Sequence, residues 1–500
     1  MTKDTAGLST SRTLWELVER RARLTPDGRA LLQDDRVLTF GGLRDRAERT
    51  AAGLWRMGVR PGTVVAWQLP TRIETVVLSL ALARVGAVQT PVIPFHRDRE
   101  TRFALRESRA AFFAVPGEWR GFDHTAMAAR LGARGVFEAY AELPDGDPSV
   151  LPPPPASGTE VRWIYWTSGT TADPSGVLHT DRSLLAGGSC LAHALRPTAD
   201  DVGSIAFPFA HIGGPDYLVM LLLYGFPAVL LERFALPGSL DAYRRHGVTI
   251  AGGSTAFYSL FLAEQRTLPP GERLIPTLRL LAGGGAPKPP ELYHAVVREL
   301  GCRLTHGYGM TEVPMITMGS PDDTPEQLAH TEGRPPAGMD VRIVDGEIRL
   351  RGEAVCRGYL DPARTAEAFD ADGYLRTGDL GHLTESGHLV VTGRVKDIII
   401  RKGENISAKE IENLLHEIPG VRDAAVIGLP DAVRGERVCA VVEGGEGLTL
   451  ETVTTHLRAA GLAPHKLPEQ LELVETLPRN ETLQKVLKYK LREQYDTHRG

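Results

Sequence analysis

Tyr165-Trp-Thr-Ser-Gly-Thr-Thr-Ala-Asp-Pro-Ser-Gly-Val177 joins an apolar run, Val161 to Trp166, to a loop dense in hydroxyls and glycine. The run reads as a buried strand and the loop as the turn that follows it. Such a loop can turn backbone N–H groups and Ser/Thr hydroxyls inward around phosphate oxygens. It lacks the G-x-x-x-x-G-K-S/T spacing of a Walker A loop. A plain surface Ser/Thr/Gly turn is the competing reading of this segment taken alone.

Upstream, short apolar runs alternate with helical patterns. Thr13-Leu-Trp-Glu16 fits a capping box that opens a helix with Leu14, Leu17 and Val18 on one face. Val64-Val65-Ala66-Trp67 reads as a strand, Glu74 to Val85 as a helix, and Val88 to Ile93 as a strand interrupted by Pro91. Residues 151–155, Leu-Pro-Pro-Pro-Pro, make a stiff connector. This alternation predicts α/β architecture with largely parallel sheets. From Asp340 onward, Val341 to Val344, Glu347 to Arg351 and Leu389 to Val391 alternate apolar and polar residues, as antiparallel strands do. Beyond Arg394 lies a compact block. Ser407-Ala-Lys-Glu410 fits a second capping box, with Ile411, Leu414, Leu415 and Ile418 lining its helix. Strands near Ala424 to Gly428 and Val438 to Val442, and helices near Leu450 to Ala460 and Gln484 to Tyr495, complete a small α+β domain.

The 500 residues exceed what one core usually supports, which predicts at least two domains. Lys+Arg is 57 and Asp+Glu 62, a net charge of −5, which argues against a nucleic-acid protein. Cys190, Cys302, Cys356 and Cys439 lie far apart and read as reduced thiols. Met1 to Arg12 is polar, and the longest apolar stretch, around Tyr217 to Leu231, is broken by Gly225 and Pro227. A cytoplasmic protein without a membrane span is therefore expected.

Four further segments carry chemistry. Gly307-Tyr-Gly-Met-Thr-Glu312 sets an aromatic ring between glycines, where it can lie against a purine, beside a hydroxyl and a carboxylate suited to phosphate and Mg2+. Leu281-Ala-Gly-Gly-Gly-Ala-Pro287 is a strand and a loop that a ligand could approach closely. Asp379, in Arg376-Thr-Gly-Asp-Leu380, could accept from ribose hydroxyls, and Arg394, in Gly393-Arg-Val-Lys-Asp397, could donate to them. Lys485 ends Leu477-Pro-Arg-Asn-Glu-Thr-Leu-Gln-Lys485. Each segment alone also has a plain structural reading: a core tyrosine, a turn, a surface ion pair, a solvated lysine.

In this order and spacing, the segments resemble the adenylate-forming superfamily of acyl- and aryl-CoA synthetases, peptide-synthetase adenylation domains and luciferase, over nearly the whole chain. The resemblance implies a large N-terminal domain, residues 1–396, of two stacked α/β subdomains plus a small β-barrel. It also implies a small mobile α+β C-terminal domain, residues 397–500, hinged at Asp397. ATP, Mg2+ and coenzyme A are the implied cofactors. Thr167, Ser168, Gly169, Thr170 and Thr171 would cradle the phosphates, Gly284, Gly285, Ala286 and Tyr308 would hold adenine, and Gly309 would also belong to the cofactor site. Asp379 and Arg394 would hold ribose. Thr311 would contact phosphate and the acyl carboxylate, Glu312 would bind Mg2+, and Lys485 would be the catalytic lysine. Gly403, in Arg401-Lys-Gly-Glu-Asn405, matches the glycine of the thiol tunnel, and His211, in Phe207-Pro-Phe-Ala-His-Ile-Gly-Gly214, the histidine between acyl pocket and tunnel.

Two departures stand out. Ser175 and Ala172 replace the lysine and a glycine of the family's phosphate loop, and Gln484 replaces the glycine before the catalytic lysine. The lost charge would cost roughly 1.5–3 kcal/mol of pyrophosphate contact in a desolvated site. Where amino-acid-activating relatives carry an aspartate, this chain has Ile212, and Asp216 lies further along, which disfavours an amino acid. Gly252-Gly-Ser-Thr-Ala-Phe257 and Val313-Pro-Met315, glycine-bearing and poor in charge, suggest room for an apolar, bulky acid. The expected product is acyl-CoA. The alternatives are an acyl-AMP ligase that loads an acyl carrier protein in trans, since no carrier domain follows Gly500, and a weakly active binding protein. A homodimer is compatible with the sequence.

Overall fold

The strand expected at Val161 to Trp166 runs from Val161 to Thr167 and lies second in a six-stranded sheet. The computed structural model describes residues 7–167, 174–285, 288–401, 404–431, 434–480 and 484–496. The sheet order is Ser175–Thr180, Val161–Thr167, Val88–Pro91, Val64–Trp67, Phe112–Val115 and Val136–Glu138. Its pairings are parallel except at Ser175–Thr180, which returns antiparallel from the phosphate-type loop. The strand at Val88 stops at Pro91, which has no N–H to continue the ladder.

Two helices explain why this lobe is stable. Ile73–Val85, which crosses over between parallel strands, is buried on every side apart from Glu74. Gly213–Tyr224 is buried from Gly214 to Leu223. A helix apolar all round must sit inside the protein, and both share one core with Trp15, Trp67, Trp163 and Phe209. A four-stranded sheet of Gly203–Ile205, Ala228–Leu230, Arg29–Gln33 and Arg36–Thr39 lies beside it. The next sheet, Ile250–Gly253, Leu280–Gly284, Arg303–Met310 and Val313–Met318, is parallel up to its last, antiparallel hairpin. Met339–Val344, Glu347–Gly352, Leu375–Leu383 and Leu389–Arg394 then form an antiparallel meander where the small barrel was expected. Ile348 and Leu350 point inward between less buried neighbours, the alternation read from the sequence.

After the short turn Val395–Asp397 the chain builds a second body of sheet and helix. Ile398–Arg401, Glu404–Ser407, Val421–Asp431, Gly435–Gly444 and Gln470–Val474 make its sheet. One apolar cluster under it, from Ile399, Ile406, Ile411 and Leu415 to Val453 and Leu457, draws only on residues of this block. The opposite face buries Ile427, Leu429, Val441, Leu477 and Leu491.

Three local expectations change. The last helix begins at Lys488, not Gln484, because Gln484 sits at φ +57°, outside the right-handed helical region. At Thr13 and Ser407 the N-cap half of each capping box is present: the side chains accept from Glu16 N and Glu410 N. The reciprocal bond from the first glutamate is diverted, since Glu16 Oε2 accepts from Arg12 N. All four cysteines are free thiols, and no helix among the described residues is long and apolar enough to cross a membrane.

Candidate active site

The hairpin Arg303–Met310 to Val313–Met318 turns at Thr311-Glu312, with Met310 opposite Val313. Glycines let its neighbours close in. Gly284 pairs with Gly307 on the adjacent strand, and a Cβ at Gly284 would stand 2.5 Å from the Gly307 carbonyl oxygen. A Cβ at Gly309 would lie 2.4 Å from the Pro314 oxygen, and Gly285 turns away at φ +82°. The result is a flat backbone ledge beside Tyr308.

Tyr308 is tethered at its far end, where its hydroxyl donates to Asp379 Oδ2 at 2.6 Å. Arg394 Nε donates to the other oxygen, Asp379 Oδ1, at 2.8 Å. Asp379 and Arg394 are directly opposed across antiparallel strands, which explains the pairing of residues fifteen apart. Burial pushes the Tyr308 phenol well up, and the Asp379 charge adds to that shift. For Arg394, burial works against the charge, but Asp379 and Tyr308 outweigh it and raise its pKa. The three therefore form one rigid donor–acceptor group.

Thr311 and Glu312 are held from below. His179 Nε2 donates to the Thr311 carbonyl at 2.7 Å, and its Nδ1 lies 2.9 Å from Ser183 Oγ. Burial brings His179 down to about 4, so it props the turn as a neutral ring. Tyr359 donates its hydroxyl to Glu312 Oε1 at 2.8 Å. Burial raises the Glu312 pKa, and the Tyr359 bond opposes that shift. Tyr359 reaches Glu312 because residues 357–360 run beside the strand Ser175–Thr180: Leu178 N donates to Gly358 O at 2.9 Å and Leu360 N to Gly176 O at 2.8 Å. His179 and Tyr359 carry no motif of their own, so local sequence gave no signal for them.

His211 precedes the helix Gly213–Tyr224. Gly213 N–H donates to His211 Nδ1 at 3.3 Å, which assigns the neutral ring's proton to Nε2. Its pKa falls to about 4, first through burial and then through the positive charge of Lys485. The fold thus brings Lys485 into electrostatic reach of His211. Its loop is clasped by paired bonds, Lys485 N to Asn480 Oδ1 at 3.0 Å and Asn480 N to Lys485 O at 2.9 Å. Asp216, one turn beyond the buried Ile212, is 1% exposed and lies against Gly187, whose added Cβ would stand 2.9 Å from Asp216 Oδ1. Burial holds its carboxyl well above the usual range, which makes it a poor counter-ion for an ammonium group.

Thr167 ends its strand, and its Oγ accepts from Ser175 N at 3.2 Å, which ties together the two ends of the phosphate-type loop. Ser168, Gly169, Thr170 and Thr171, with Ala286 and Gly403, lie outside the described residues. Among the described residues no group of three His, Cys, Asp or Glu could hold a metal alone. A single carboxylate at Glu312 suits Mg2+, which keeps water and substrate phosphate as most of its ligands.

The AMP-binding enzyme family matches residues 18–360, and the AMP-binding enzyme C-terminal domain matches residues 410–483. A salicyl-AMP ligase / salicyl-S-ArCP synthetase of Mycobacterium tuberculosis is 33% identical, over 95% of this chain and 89% of that protein. A 3-[(3aS,4S,7aS)-7a-methyl-1,5-dioxo-octahydro-1H-inden-4-yl]propanoyl:CoA ligase of the same organism is 34% identical, over 96% and 99%. Among solved structures, o-succinylbenzoate CoA synthetase of Bacillus subtilis in complex with its acyl-adenylate intermediate is 28% identical and superposes with a TM-score of 0.84, over 96% of this chain and 98% of that one. The same synthetase in complex with ATP and magnesium ion gives a TM-score of 0.84 over 95% and 98%, again at 28% identity.

Proposed function

The chain belongs to the AMP-binding enzyme family, and from that premise we propose that its acid is bulky and largely apolar and that the residues described above carry the reaction. The enzyme is an ATP-dependent acid–thiol ligase: it converts a carboxylic acid to acyl-AMP with release of pyrophosphate, then passes the acyl group to CoA, leaving AMP.

A carboxylate is a poor electrophile because its oxygen is a poor leaving group, and AMP is a far better one. A carboxylate oxygen attacks the α-phosphorus, the α–β bridging bond breaks, and pyrophosphate departs. Both reactants are anions, so the step needs cations fixed where charge builds. Lys485 supplies one at the bridging oxygens; its match to the family's catalytic lysine carries this assignment, and its charge acting on His211 agrees with it. Tyr308, Gly284 and Gly285 border adenine, and Asp379 with Arg394 holds ribose. Glu312 holds Mg2+, which neutralises phosphate charge when bound. Thr167 and the loop after it receive the phosphates, and Thr311 meets the α-phosphate and the acyl carboxylate. In the second half-reaction the CoA thiolate attacks the acyl carbon and AMP leaves. His211, neutral and with its proton on Nε2, borders the thiol's path. The block 397–500, with its own core, moves as a unit between the two steps.

The acid class follows from its surroundings. Ile212 is buried, burial disfavours the charged form of Asp216, and Gly252 and Gly253 present no side chain. Two relatives are named for ring-bearing acids, salicylate and a fused-ring propanoate. The salicyl-S-ArCP relative favours one second reading, a carrier-protein thiol in place of CoA.

Acid-dependent ATP–pyrophosphate exchange over fatty, aryl, alicyclic and amino acids tests this, followed by mass spectrometry for a CoA thioester. Exchange with ring-bearing or long apolar acids, and a thioester, is the expected result. Strict preference for acetate or an amino acid overturns the acid class. Exchange without thioester moves the acceptor to a carrier protein, and no exchange from folded, ATP-binding protein overturns the catalytic reading.

A further inference from the structure

The serine at position 175 leaves the loop between Thr167 and Ser175 without the cation that family members place there, and this inference rests on the reading above. Ser175 is 5% exposed and opens the strand that returns from the loop. Its hydroxyl accepts a hydrogen bond from Arg364 Nη1. Arg364 lies on the helix Pro362–Ala368, nearly two hundred residues away in sequence. The guanidinium also sits 5.7 Å from the centroid of the Tyr359 ring. Among the described residues it has no carboxylate partner: its contacts are a neutral hydroxyl and the ring.

The position is fixed by backbone, not by a flexible reach. Residues 357–360 pair with the strand Ser175–Thr180, through Arg357 N to Leu178 O at 2.8 Å and Leu360 N to Gly176 O at 2.8 Å. Gly176 permits this, since a Cβ there would lie 2.5 Å from Leu360 Cδ1. The helix starts immediately after, capped by Asp361. Tyr359, packed against Arg364, donates its hydroxyl to Glu312. One aromatic residue therefore spaces a cation at the loop's end from the carboxylate that would hold Mg2+. A guanidinium with no carboxylate partner among the described residues, beside the strand end Ser175 of a hydroxyl-rich sequence, suits phosphate oxygens.

We propose that Arg364 supplies the charge that Ser175 lacks, binding the β- and γ-phosphates of ATP and stabilising pyrophosphate as the α–β bridging bond breaks. Its N–H groups donate to the leaving oxygens and exchange no proton. Ser175 orients the guanidinium.

The test compares wild type, Arg364→Gln and Arg364→Lys in the intact chain. Three readouts are taken: ATP–pyrophosphate exchange, calorimetric titration with magnesium pyrophosphate, and thioester formation from chemically prepared acyl-AMP and CoA. Arg364→Gln should lower exchange at least tenfold and weaken pyrophosphate binding at least fivefold. Arg364→Lys should keep most of both, and acyl-AMP consumption should stay within twofold for all three proteins, because that step contains no pyrophosphate. Arg364→Gln within twofold of wild type in exchange and binding overturns the proposal. So does equal loss of both half-reactions, which marks a merely structural arginine. Wild type that exchanges with no acid removes the functional reading itself, a result separable from failure at Arg364 alone.

Discussion

Gln484 occupies a conformation that glycine adopts freely, at φ +57°, directly before Lys485. A residue with a Cβ pays roughly 1 kcal/mol there. Gln484→Gly is expected to raise global stability by up to that amount in urea denaturation, provided the clasp between Asn480 and Lys485 is kept. Equal or lower stability would place the local strain elsewhere. Asp216 makes the opposite kind of error, a carboxyl buried at 1% exposure with neither oxygen hydrogen-bonded among the described residues. Its folded pKa lies above its ordinary value of 3.8, so the folded state binds the proton more tightly than the unfolded chain. Stability is then fully present below the ordinary carboxylate value and is lost as pH rises from there through the raised folded pKa. Asp216→Asn should denature later than wild type at pH 8, with the gap closing toward pH 4. A gap independent of pH would mean that the carboxyl does not titrate in this way. The sequence made Gln484 visible as a departure from its family, because a glycine position announces its backbone need. Asp216 was visible as a residue but not as a buried acid, since its burial depends on Gly187 of a different helix.

The Thr311-Glu312 turn joins two strands, yet its fixing residues come from elsewhere: His179 at the end of Ser175–Thr180 and Tyr359 from the segment beside that strand. This is why motif and support differ in legibility. Tyr308, Thr311, Glu312, Asp379 and Arg394 sit in short glycine-marked stretches whose composition reflects strands in close approach. Tyr359, Arg364 and His179 are defined by pairing between segments far apart in sequence, 189 residues for Arg364 and 132 for His179, which no local window contains. The element scale gives a prediction for Tyr359→Phe. The change removes the donor to Glu312 Oε1 but leaves the ring, so it loses a bond to a charged group worth about 1.5–3 kcal/mol. The Mg2+ concentration for half-maximal exchange should rise by roughly tenfold, since 1.4 kcal/mol is a factor of ten. Melting temperature should fall by a few degrees through the same loss. An unchanged Mg2+ dependence would show that Glu312 needs no such donor.

At the scale of the molecule, two bodies with separate cores meet, among the described residues, through polar contacts of the helix Ala408–Leu415 and its cap. On the helix Ala408–Leu415, Lys409 Nζ donates to the Val391 carbonyl at 2.7 Å, and Ser407 Oγ donates to the Thr392 carbonyl at 2.8 Å. These bonds hold the C-terminal block where the charge of Lys485 acts on His211. If that block must leave this position for the thiol to enter, the same bonds favour adenylation and oppose thioester formation. Lys409→Met keeps the apolar stem and removes the charged donor, a loss of about 1.5 kcal/mol or more from this arrangement alone. The population that holds Lys485 at the acyl site then falls. Pyrophosphate exchange should drop, by up to roughly tenfold when the two arrangements are near balance. Thioester formation from supplied acyl-AMP should hold or quicken. Ser407 is the poorer probe because its hydroxyl also caps the helix at Glu410 N. Rapid-quench measurement of both half-reactions on the same preparation decides the matter. Changes of opposite sign identify a block that moves between two working positions, whereas a parallel fall in both would mean that Lys409 serves stability alone.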